Sequence, residues 1–457
     1  MLLALYNVLL VLASPVILLI LLAKRRCRRG LPFRLGLRLP ARPSAADRPA
    51  AGSVIWVHAV SLGEVVAVTP LVKALHARYP GRPVIVSTVT ETGREAVEQR
   101  LAGVATHCYA PLDYPRAVAR LIDHLQPGLY LFVETELWPN LLTALAARAV
   151  PTVMLNGRIS TRSFARQQWP VVRQVYRFIL RRLSRCLMQS ERDAQRIVAL
   201  GADPQKVLRT GNIKFDQPLA SVPADRLAPI TEWVSRQSHP PVLVAGSTHP
   251  GEEELLITAC EEIRKQRPLV LIMAPRHVER TGEVERMLLQ RGIASLRRSQ
   301  LSAGAAVSAG NQEPWVLLLD TRGELGSVYH YAAITFVGGT LAPVGGHNLL
   351  EPAAWGKPVL FGPHTDHCEE IAQVLESAGG GVRVRTVDQM VEVCRRLLDD
   401  PVDLDRAGHQ ARAALHENQG ALQRTLDAIA HFLEQDPSRR DTMPPAACPD
   451  HVGSSSR

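Results

Sequence analysis

Short apolar runs alternate with amphipathic segments along most of this chain, and the alternation occurs in two series. The first series occupies residues 53–216 and the second occupies residues 241–435, with a proline-containing stretch, residues 217–240, between them. Alternating strands and helices are typical of a parallel sheet covered by helices on both faces. The sequence therefore predicts two α/β domains joined by a linker. Ligands bind such sheets at the carboxyl ends of the strands.

A long uncharged segment opens the chain. The first 23 residues carry no charged side chain, and Lys24, Arg25 and Arg26 follow at once. A helix of this length would measure roughly 34 Å, slightly more than the hydrocarbon core of a bilayer. A secretory signal has the reverse arrangement, with its positive charge before the apolar run. We therefore expect a membrane anchor at residues 1–23 and a basic linker at residues 24–52; a cleaved signal or a buried core helix is the alternative.

Positive charge sets the expected orientation of this anchor. Because lysine and arginine beside a span stay cytoplasmic, the N-terminus should face outward and both domains inward. The basic residues should also attract the anionic lipids of the membrane. The formal net charge of +10 does not by itself choose between nucleic acid, anionic lipid and an anionic small substrate. Since no nucleic-acid-binding motif accompanies the charge, we expect no nucleic-acid partner.

The cysteine pattern argues against both a zinc site and a disulfide framework. The seven cysteines are scattered singly, without a CxxC pair or a Cys/His cluster, so neither a zinc site nor a disulfide framework is expected. A reducing cytoplasm suits such a chain. Residues 436–457 are polar and rich in proline and serine, and we predict that they are disordered.

The most informative motif is FVGGTLAPVGGHNLLEPAAWGKPVLFGP, residues 336–363. It predicts a strand, a glycine-rich loop, a helix starting near His347 and a second strand. The pairs Gly338–Gly339 and Gly345–Gly346 would let backbone N–H groups approach a ligand closely, and a helix N-terminus favours a phosphate. Glu351, one turn into the helix, could accept hydrogen bonds from sugar hydroxyls. An ordinary strand–helix–strand unit whose glycines only make turns is the alternative.

Acidic side chains follow two predicted strands of the first domain. In VHAVSLGEV, Glu64 opens a helix after a tight turn, and in VETELWPN, Glu134 and Glu136 follow a buried strand. A carboxylate at a helix start is often only a complement to the helix dipole, but Glu64 could also act as a general base. Acids beside a buried strand are costly without partners, which favours a site over plain surface. His58 is interpreted equally as a core histidine or as a site residue.

Further polar turns follow other predicted strands in both domains. These turns contribute, in chain order, Arg158, Lys214, Ser247, Thr248, Arg276, Gly323 and Glu324. Arginine is suited to binding phosphate. So many polar turns at strand carboxyl ends indicate a polar ligand site in a cleft that both domains face.

A basic segment with aromatic residues is a possible membrane contact. Arg162, Arg166, Arg173 and Arg177 are spaced to share one face of a predicted helix, with Trp169 between them. A basic amphipathic helix suits an anionic membrane surface. The solvated basic face of a packed helix is an equal alternative.

Six ordered motifs resemble the lipid A 3-deoxy-D-manno-octulosonic acid (Kdo) transferases of Gram-negative bacteria. They are VHAVSLGE, VETELWPN, GNIKFD, APRH, DTRGELG and GGHNLLEPAAWGKPVLFGP, and the likeness extends over about residues 53–433. The resemblance implies a GT-B glycosyltransferase fold, with two Rossmann-like domains facing a cleft and an N-terminal transmembrane helix. The first domain would bind the acceptor and the second would bind CMP-Kdo.

The resemblance also implies roles for the matching residues. Glu64 corresponds to the family's general base. Glu134 and Lys214 correspond to positions that stabilise the transition state, although Glu136 could instead be the relevant acid of its motif. Arg322 departs from the small apolar residue expected there, a change that a backbone contact would survive. The implied CMP-binding positions are Pro275, Arg276, Arg322, Gly323, Glu324, Asn348, Leu349, Leu350 and Glu351.

The implied reaction is transfer of Kdo from CMP-Kdo to the tetraacylated lipid A precursor, lipid IVA. It would take place on the cytoplasmic side of the bacterial inner membrane, with CMP-Kdo as donor substrate and with no metal or other cofactor. A single base and a leaving phosphate predict direct displacement with inversion. The alternatives are a GT-B enzyme that uses a UDP-sugar, as a transferase or an epimerase, and a non-catalytic membrane-anchored scaffold.

Overall fold

The chain packs as two units. The first comprises Met1–Gln217 and Gln419–Arg457, and the second comprises Pro218–Asn418. The computed structural model describes residues 2–23, 30–40, 52–217, 223–237, 239–301 and 314–434. The predicted disordered tail and most of the predicted basic linker therefore lie outside the described residues.

Parallel strands form the sheet of the first unit. The strands are β1 (Val54–His58), β2 (Val84–Thr88), β3 (Thr106–Tyr109), β4 (Pro127–Val133), β5 (Thr152–Gly157), β6 (Arg185–Met188) and β7 (Val207–Arg209). Among the described residues they form one seven-stranded sheet in the order β3-β2-β1-β4-β5-β6-β7. The helices of this unit are α1 (Leu2–Ala23), α2 (Leu31–Arg34), α3 (Leu62–Arg78), α4 (Glu91–Arg100), α5 (Pro115–Leu125), α6 (Pro139–Ala147), α7 (Thr161–Gln167), α8 (Pro170–Leu180), α9 (Glu191–Ala199) and, from the end of the chain, α18 (Ala421–Glu434).

Burial on both faces explains why the central strands are apolar runs without polar alternation. Along β1, Ile55 and Val57 point into one hydrophobic cluster, whereas Val54 and Trp56 point into another. Successive side chains of a strand face opposite sides of the sheet. A strand covered by helices on both sides therefore favours apolar residues at nearly every position.

The second unit repeats this architecture. Its strands are β8 (Val242–Thr248), β9 (Val270–Pro275), β10 (Ser295–Arg297), β11 (Val316–Leu318), β12 (Ile334–Val337), β13 (Val359–Phe361) and β14 (Gly381–Arg383). The described part of the unit holds them in one parallel sheet, in the order β10-β11-β9-β8-β12-β13-β14. Its helices are α10 (Ala224–Arg236), α11 (Glu252–Arg264), α12 (Thr281–Gln290), α13 (Leu325–Val328), α14 (Leu350–Ala354), α15 (Glu369–Ala378), α16 (Val387–Asp399) and α17 (Pro401–Asn418). The prediction of two parallel α/β sheets is confirmed.

Each sheet has a point where the strand order reverses, between β1 and β4 in the first and between β8 and β12 in the second. In open α/β sheets, ligands bind at the carboxyl ends of the strands at such a switch point. Glu64 follows β1 and Glu134 follows β4, whereas Ser247 lies near the end of β8 and the glycine-rich loop follows β12. Both predicted sites are therefore at the switch points of their sheets.

The last helix packs in the first unit, although the sequence assigned residues 241–435 to the second domain. Ile429 is fully buried in the core of the first unit. The carboxylate of Asp216 accepts the N–H groups of Gly420 at 2.7 Å and Leu422 at 2.6 Å, which fixes the start of α18. Apolar periodicity shows that a helix has a buried face, but not which core the face covers.

Two other segments differ from their predictions. The predicted linker, residues 217–240, contains α10, whose Ile230 and Trp233 are buried in the core of the second unit. The predicted basic helix is two helices, because Pro170 begins α8; proline suits the first turn of a helix but not its interior. The four arginines are thus divided between α7 and α8, and the prediction that they share one helical face is wrong.

Candidate functional site

Glu64 lies at the start of α3, directly after β1. The Val60 N–H donates to its Oε2 at 2.8 Å, and the Ser61 hydroxyl donates to its Oε1 at 3.1 Å. Burial raises the pKa of Glu64 to about 7; the Val60 hydrogen bond opposes this rise, and the charges of Glu134 and Glu136 add to it. These contacts hold the carboxylate against the turn that precedes the helix. It also has a pKa suited to accepting a proton near neutral pH.

Glu134 and Lys214 form an ion pair near this carboxylate. The distance from Glu134 Oε1 to Lys214 Nζ is 3.8 Å, and both side chains are partly exposed. The backbone of Glu134 has φ 59°, a left-handed conformation that is uncommon outside glycine and that clusters at functional sites. Glu136 instead accepts the indole N–H of Trp138 at 3.0 Å. Of the two acids, Glu134 is therefore the one paired with the predicted lysine.

Asn156 helps to hold Lys214 in place. It is 1% exposed, and its Oδ1 accepts the N–H of Ile213 at 3.0 Å. The side chain of Asn212 accepts the N–H of Lys214 at 3.0 Å. The segment NGRIS, residues 156–160, supports the site through Asn156, which the sequence interpretation did not single out. The φ of Asn156, 53°, fits the tolerance of asparagine for this conformation. Arg158 is partly exposed, and its phosphate-binding role stays a prediction.

His58 is part of the core. It is 1% exposed, and its Nδ1 lies 2.9 Å from the Ser87 hydroxyl, which also accepts the indole N–H of Trp56. Burial lowers the pKa of His58 to about 4, so the imidazole is neutral at physiological pH. These contacts favour the core interpretation over a site role.

A pocket of about 330 Å³ lies in the second unit near the ends of β8, β9 and β11. It brings together Pro275 and Arg276 of the APRH motif with Arg322 and Gly323 of DTRGELG. Ser247 also lines it and has φ 56°, a strained backbone conformation of the kind found at ligand sites. Two of the predicted nucleotide-binding segments therefore face one pocket.

The two arginines of the pocket differ in what they contact. Arg276 is exposed, and its backbone N–H donates to the Thr248 carbonyl at 2.9 Å, which ties the loops after β8 and β9 together. The side chain of Arg322 is 76% exposed, with its Nη2 2.5 Å from Glu279 Oε1. Arg276 is therefore the better placed of the two to bind a phosphate.

The carboxylate of Glu324 is buried and contacts other groups of the protein. It is 1% exposed, its Oε2 lies 3.2 Å from Arg298 Nε, and the Thr321 hydroxyl donates to the same oxygen at 2.5 Å. A buried carboxylate with such partners stabilises its own loop. The predicted contact of Glu324 with CMP would therefore involve its backbone.

The glycine-rich loop directs its N–H groups at a protein carboxylate. Glu252, in the first turn of α11, is 1% exposed. It accepts the N–H groups of Gly339 at 2.8 Å, Thr340 at 3.0 Å, Leu341 at 2.8 Å and Ala342 at 3.0 Å. Of the glycine N–H groups predicted to approach a ligand, that of Gly339 is therefore already bound by an internal anion.

Glu252 joins two loops at the switch point of the second sheet. It also accepts the N–H of His249 at 2.9 Å, in the loop after β8. The loops touch backbone to backbone, since a Cβ on Gly338 would lie 2.3 Å from the Ser247 carbonyl oxygen. Glu253 is buried as well, and nothing in the run GEEE reveals which acid binds the loop, so the sequence interpretation passed over Glu252.

The helix after the loop begins at Leu350 instead of near His347. The Asn348 side chain accepts the N–H of Leu350 at 3.1 Å and donates to Glu351 Oε1 at 3.2 Å. Burial raises the pKa of Glu351. Leu349 and Leu350 are buried, so their predicted contacts with CMP would come from backbone atoms.

Two histidines that the sequence interpretation did not pair meet beside this loop. The Nε2 atoms of His249 and His347 lie 2.8 Å apart, and their rings stack with centroids 5.1 Å apart. Burial lowers the pKa of both, to about 4 for His347. The pair is therefore uncharged at neutral pH and shares one hydrogen-bonded proton.

Two features of the first unit are compatible with membrane attachment. Within the described ranges, α1 is the helix long and apolar enough to cross a bilayer. Trp169 and Val171, at the junction of α7 and α8, are 69% and 71% exposed. Exposed tryptophan beside basic residues is typical of membrane interfaces.

Sequence comparisons identify relatives over almost the whole chain. The family described as 3-Deoxy-D-manno-octulosonic-acid transferase (kdotransferase) matches residues 31–217. The chain is 34% identical over 441 residues to the 3-deoxy-D-manno-octulosonic acid transferase of Haemophilus influenzae, a match that covers 94% of this chain and 98% of that protein. It is 36% identical over 415 residues to the enzyme of the same name from Bordetella pertussis, covering 88% and 90%.

Solved structures share the fold at low sequence identity. UDP-GlcNAc 2-epimerase from Neisseria meningitidis aligns with a TM-score of 0.55 at 15% identity, covering 83% of this chain and 99% of that chain. A glycosyltransferase from Rickettsia africae aligns with a TM-score of 0.52 at 12% identity, covering 85% and 100%. These likenesses confirm the predicted GT-B fold. With the sequence relatives, they establish that this chain belongs to the 3-deoxy-D-manno-octulosonic acid transferase family of glycosyltransferases.

Proposed function

We propose that this protein transfers Kdo from CMP-Kdo to the lipid A precursor lipid IVA, with inversion at the anomeric carbon and with Glu64 as general base. The observation that carries the proposal is the partly buried carboxylate of Glu64, at a sheet switch point, with a pKa of about 7. Beside it lie the ion-paired Glu134 and Lys214. Membership in the Kdo transferase family supports the sugar that is transferred.

The chemistry follows from a poor nucleophile and a good leaving group. An acceptor hydroxyl oxygen bonds to the anomeric carbon of Kdo, while the bond from that carbon to the CMP phosphate breaks and CMP departs with the electron pair. The hydroxyl proton passes to the Glu64 carboxylate. Attack opposite the leaving phosphate inverts the anomeric carbon. Lys214, held by Glu134, would stabilise the negative charge that develops in the transition state.

We assign CMP to the pocket of the second unit. Arg276 supplies a guanidinium for the phosphate, and the backbone around Gly323, Asn348 and Glu351 supplies the remaining predicted contacts. Because Glu252 already occupies the amides from Gly339 to Ala342, the proposal places no phosphate on that stretch.

Replacing Arg276 should weaken CMP binding far more than replacing Arg322. Loss of hydrogen bonds to a charged group costs about 1.5–3 kcal/mol, so the Arg276→Ala variant should raise the CMP Kd about 10- to 100-fold. Arg322→Ala, the control from the same pocket, loses a side chain that is exposed and paired with Glu279, and its Kd should change little. Isothermal titration with CMP measures both, and equal losses would contradict the assignment.

The pH dependence of the reaction should report the ionisation of Glu64. Since only the ionised carboxylate accepts a proton, kcat/KM should rise with pH through an apparent pKa near 7. Glu134→Gln removes a negative neighbour that raises the pKa of Glu64, so this limb should move to lower pH, whatever the change in maximal rate. Glu98→Gln, at an exposed position of α4, should leave the limb in place. An unmoved limb in Glu134→Gln would contradict the coupling.

For the membrane, we propose attachment to the cytoplasmic side of the inner membrane through α1. Trp169 and the arginines of α7 and α8 would add contacts with anionic lipid heads. A single crossing with the N-terminus outward stays a prediction from the charge distribution. Attachment would raise the local concentration of a lipid acceptor.

The function is tested by supplying both substrates. Full-length protein in detergent with CMP-Kdo and lipid IVA should yield a Kdo-bearing lipid by mass spectrometry, with or without EDTA. Absence of that product under both conditions, beside an active control enzyme, would refute the proposal. Dependence on an added metal would refute the metal-free mechanism alone.

Stabilisation by UDP but not by CMP in a thermal-shift assay would favour the alternative of a UDP-sugar enzyme. Turnover of any nucleotide sugar would exclude a non-catalytic scaffold.

A further inference from the structure

The first helix is hydrogen-bonded to the folded part of its own unit. The Tyr6 hydroxyl donates to Asp113 Oδ2 at 3.0 Å. The Asn140 side-chain N–H donates to Asn7 Oδ1 at 2.7 Å. Further along the helix, the Ser14 hydroxyl lies 2.6 Å from the hydroxyl of Tyr114. The polar side chains of α1 thus meet polar partners from the loop before α5 and from the start of α6.

The side chains that contact α1 are held in place within the first unit. Asp113 is 3% exposed, and it accepts the N–H groups of Asn140 at 2.9 Å and Leu141 at 2.8 Å. These hydrogen bonds cap the N-terminus of α6 from a distance. Asn140 is 5% exposed. Tyr6 and Asn7 therefore contact side chains whose positions are already fixed by the fold.

The outer side of α1 is apolar and open. Residues along it that are at least half exposed are Leu5, Val8, Leu9, Val11, Leu12, Val16 and Leu19. A run of exposed aliphatic side chains without a charge suits contact with acyl chains.

The segment that follows α1 is also held by the unit. Arg34 of α2 is 3% exposed, and its backbone carbonyl accepts the N–H of Leu112 at 2.8 Å. The guanidinium of Arg34 donates to the Val89 carbonyl. This part of the predicted basic linker is therefore packed against the unit, and the unit holds the chain on both sides of residues 24–29.

These contacts conflict with a simple crossing of the membrane. In a helix that crosses with its N-terminus outward, Tyr6 would lie about 25 Å from the cytoplasmic end near Ala23, at a rise of about 1.5 Å per residue. That depth is close to the far side of a hydrocarbon core of about 30 Å. Asp113 and Asn140 belong to the folded unit and cannot reach it unless the unit itself enters the bilayer. Docking to Asp113 and crossing therefore exclude each other.

We propose that α1 lies along the first unit in the plane of the membrane, with its outer face in the acyl chains of the cytoplasmic leaflet, and does not cross. The inference rests on the membrane attachment in the proposed function. It accounts for Tyr6, Asn7 and Ser14, because polar side chains in hydrocarbon are costly without partners. The partner of the outer face is a phospholipid leaflet.

A cross-linking experiment tests the docking. The pair Asn7→Cys and Asn140→Cys places two thiols where side chains touch, and the pair Leu12→Cys and Asn140→Cys places one on the outer face of α1 as control. The full-length double variants are oxidised in membranes and then cleaved with trypsin in the basic segment after α1. The α1 peptide should stay disulfide-linked to the rest of the protein in the first pair alone. Equal linkage, or none in the first pair, would overturn the docking.

A topology experiment tests the absence of a crossing. An epitope tag before Met1 should be removed by protease from inside-out membrane vesicles and retained in right-side-out ones. A tag after Arg457, on the cytoplasmic side in either case, verifies vesicle orientation. Removal of the first tag from right-side-out vesicles would overturn the in-plane arrangement. Kdo transfer is measured in the same vesicles, so that failure of the in-plane arrangement can be distinguished from failure of the proposed function.

Discussion

The Glu64→Gln variant is expected to turn over CMP-Kdo and lipid IVA about 10²- to 10⁴-fold more slowly than the unaltered protein, the usual loss when a general base is removed. Glutamine fills nearly the same space, and its carbonyl can still accept the Val60 or Ser61 hydrogen bond. It cannot take the proton of the acceptor hydroxyl. Single-turnover assays with the full chain measure the chemical step directly.

Two controls isolate the chemical role of Glu64. The affinity for CMP should be unchanged, because the nucleotide is assigned to the other unit. Glu98→Gln, which alters an exposed carboxylate of the first unit, should keep normal turnover. A near-normal rate in a folded Glu64→Gln variant would remove this residue as the base.

The Glu64 carboxylate should make the folded protein less stable as the pH rises. The pKa of Glu64 rises from 4.5 to about 7 on folding, mainly through burial, so between these values the folded chain binds more protons than the unfolded chain. The contribution of this group to stability therefore falls as pH rises through that window. Glu64→Gln removes the effect, and its melting temperature relative to the unaltered protein should be higher at pH 8 than at pH 5.

The Glu252→Ala variant is expected to lose about 3–5 kcal/mol of unfolding free energy in the second unit, since each buried donor left without a partner costs about 1–3 kcal/mol. The donors are the N–H groups of His249 and of Gly339 through Ala342. Water that enters the vacated space would recover part of the loss. Urea unfolding of the variant measures the change.

Hydrogen exchange localises this effect. The amides from Gly339 to Ala342 should be protected in the unaltered protein and should exchange rapidly in Glu252→Ala. Glu254→Ala, an exposed change in the first turn of the same helix, should stay within about 0.5 kcal/mol of the unaltered protein. Retained protection in Glu252→Ala would show that the carboxylate does not organise the loop.

The parts of the fold that depend on local pattern were predictable from sequence. Apolar runs such as β1 and β4 are buried on both faces, so their strand character is visible without knowledge of the neighbours. Because parallel strands share an edge, the acids after these two strands could be expected near each other. The structure places Glu64 and Glu134 beside the switch point that separates β1 from β4. Their electrostatic coupling agrees with that expectation.

The parts that depend on partners distant in the chain were not predictable. Glu252 and Gly339 are joined through two loops whose approach depends on sheet order, and no spacing in the sequence encodes it. Arg322 and Glu324 belong to one motif, yet one side chain is 76% exposed and the other is buried. Motif matching assigns both to the ligand, whereas the structure distinguishes an exposed side chain paired at the surface from a carboxylate buried within the protein.

The return of α18 to the first unit affects the order in which the chain can fold during synthesis. Domains generally fold as they leave the ribosome, the N-terminal one first. Here the second unit, Pro218–Asn418, is contiguous, whereas the first needs Ala421–Glu434 to close the core that contains Ile429. The unit that emerges first is thus completed after the second, and its proposed base lies on an unfinished unit until Ala421–Glu434 have been synthesised.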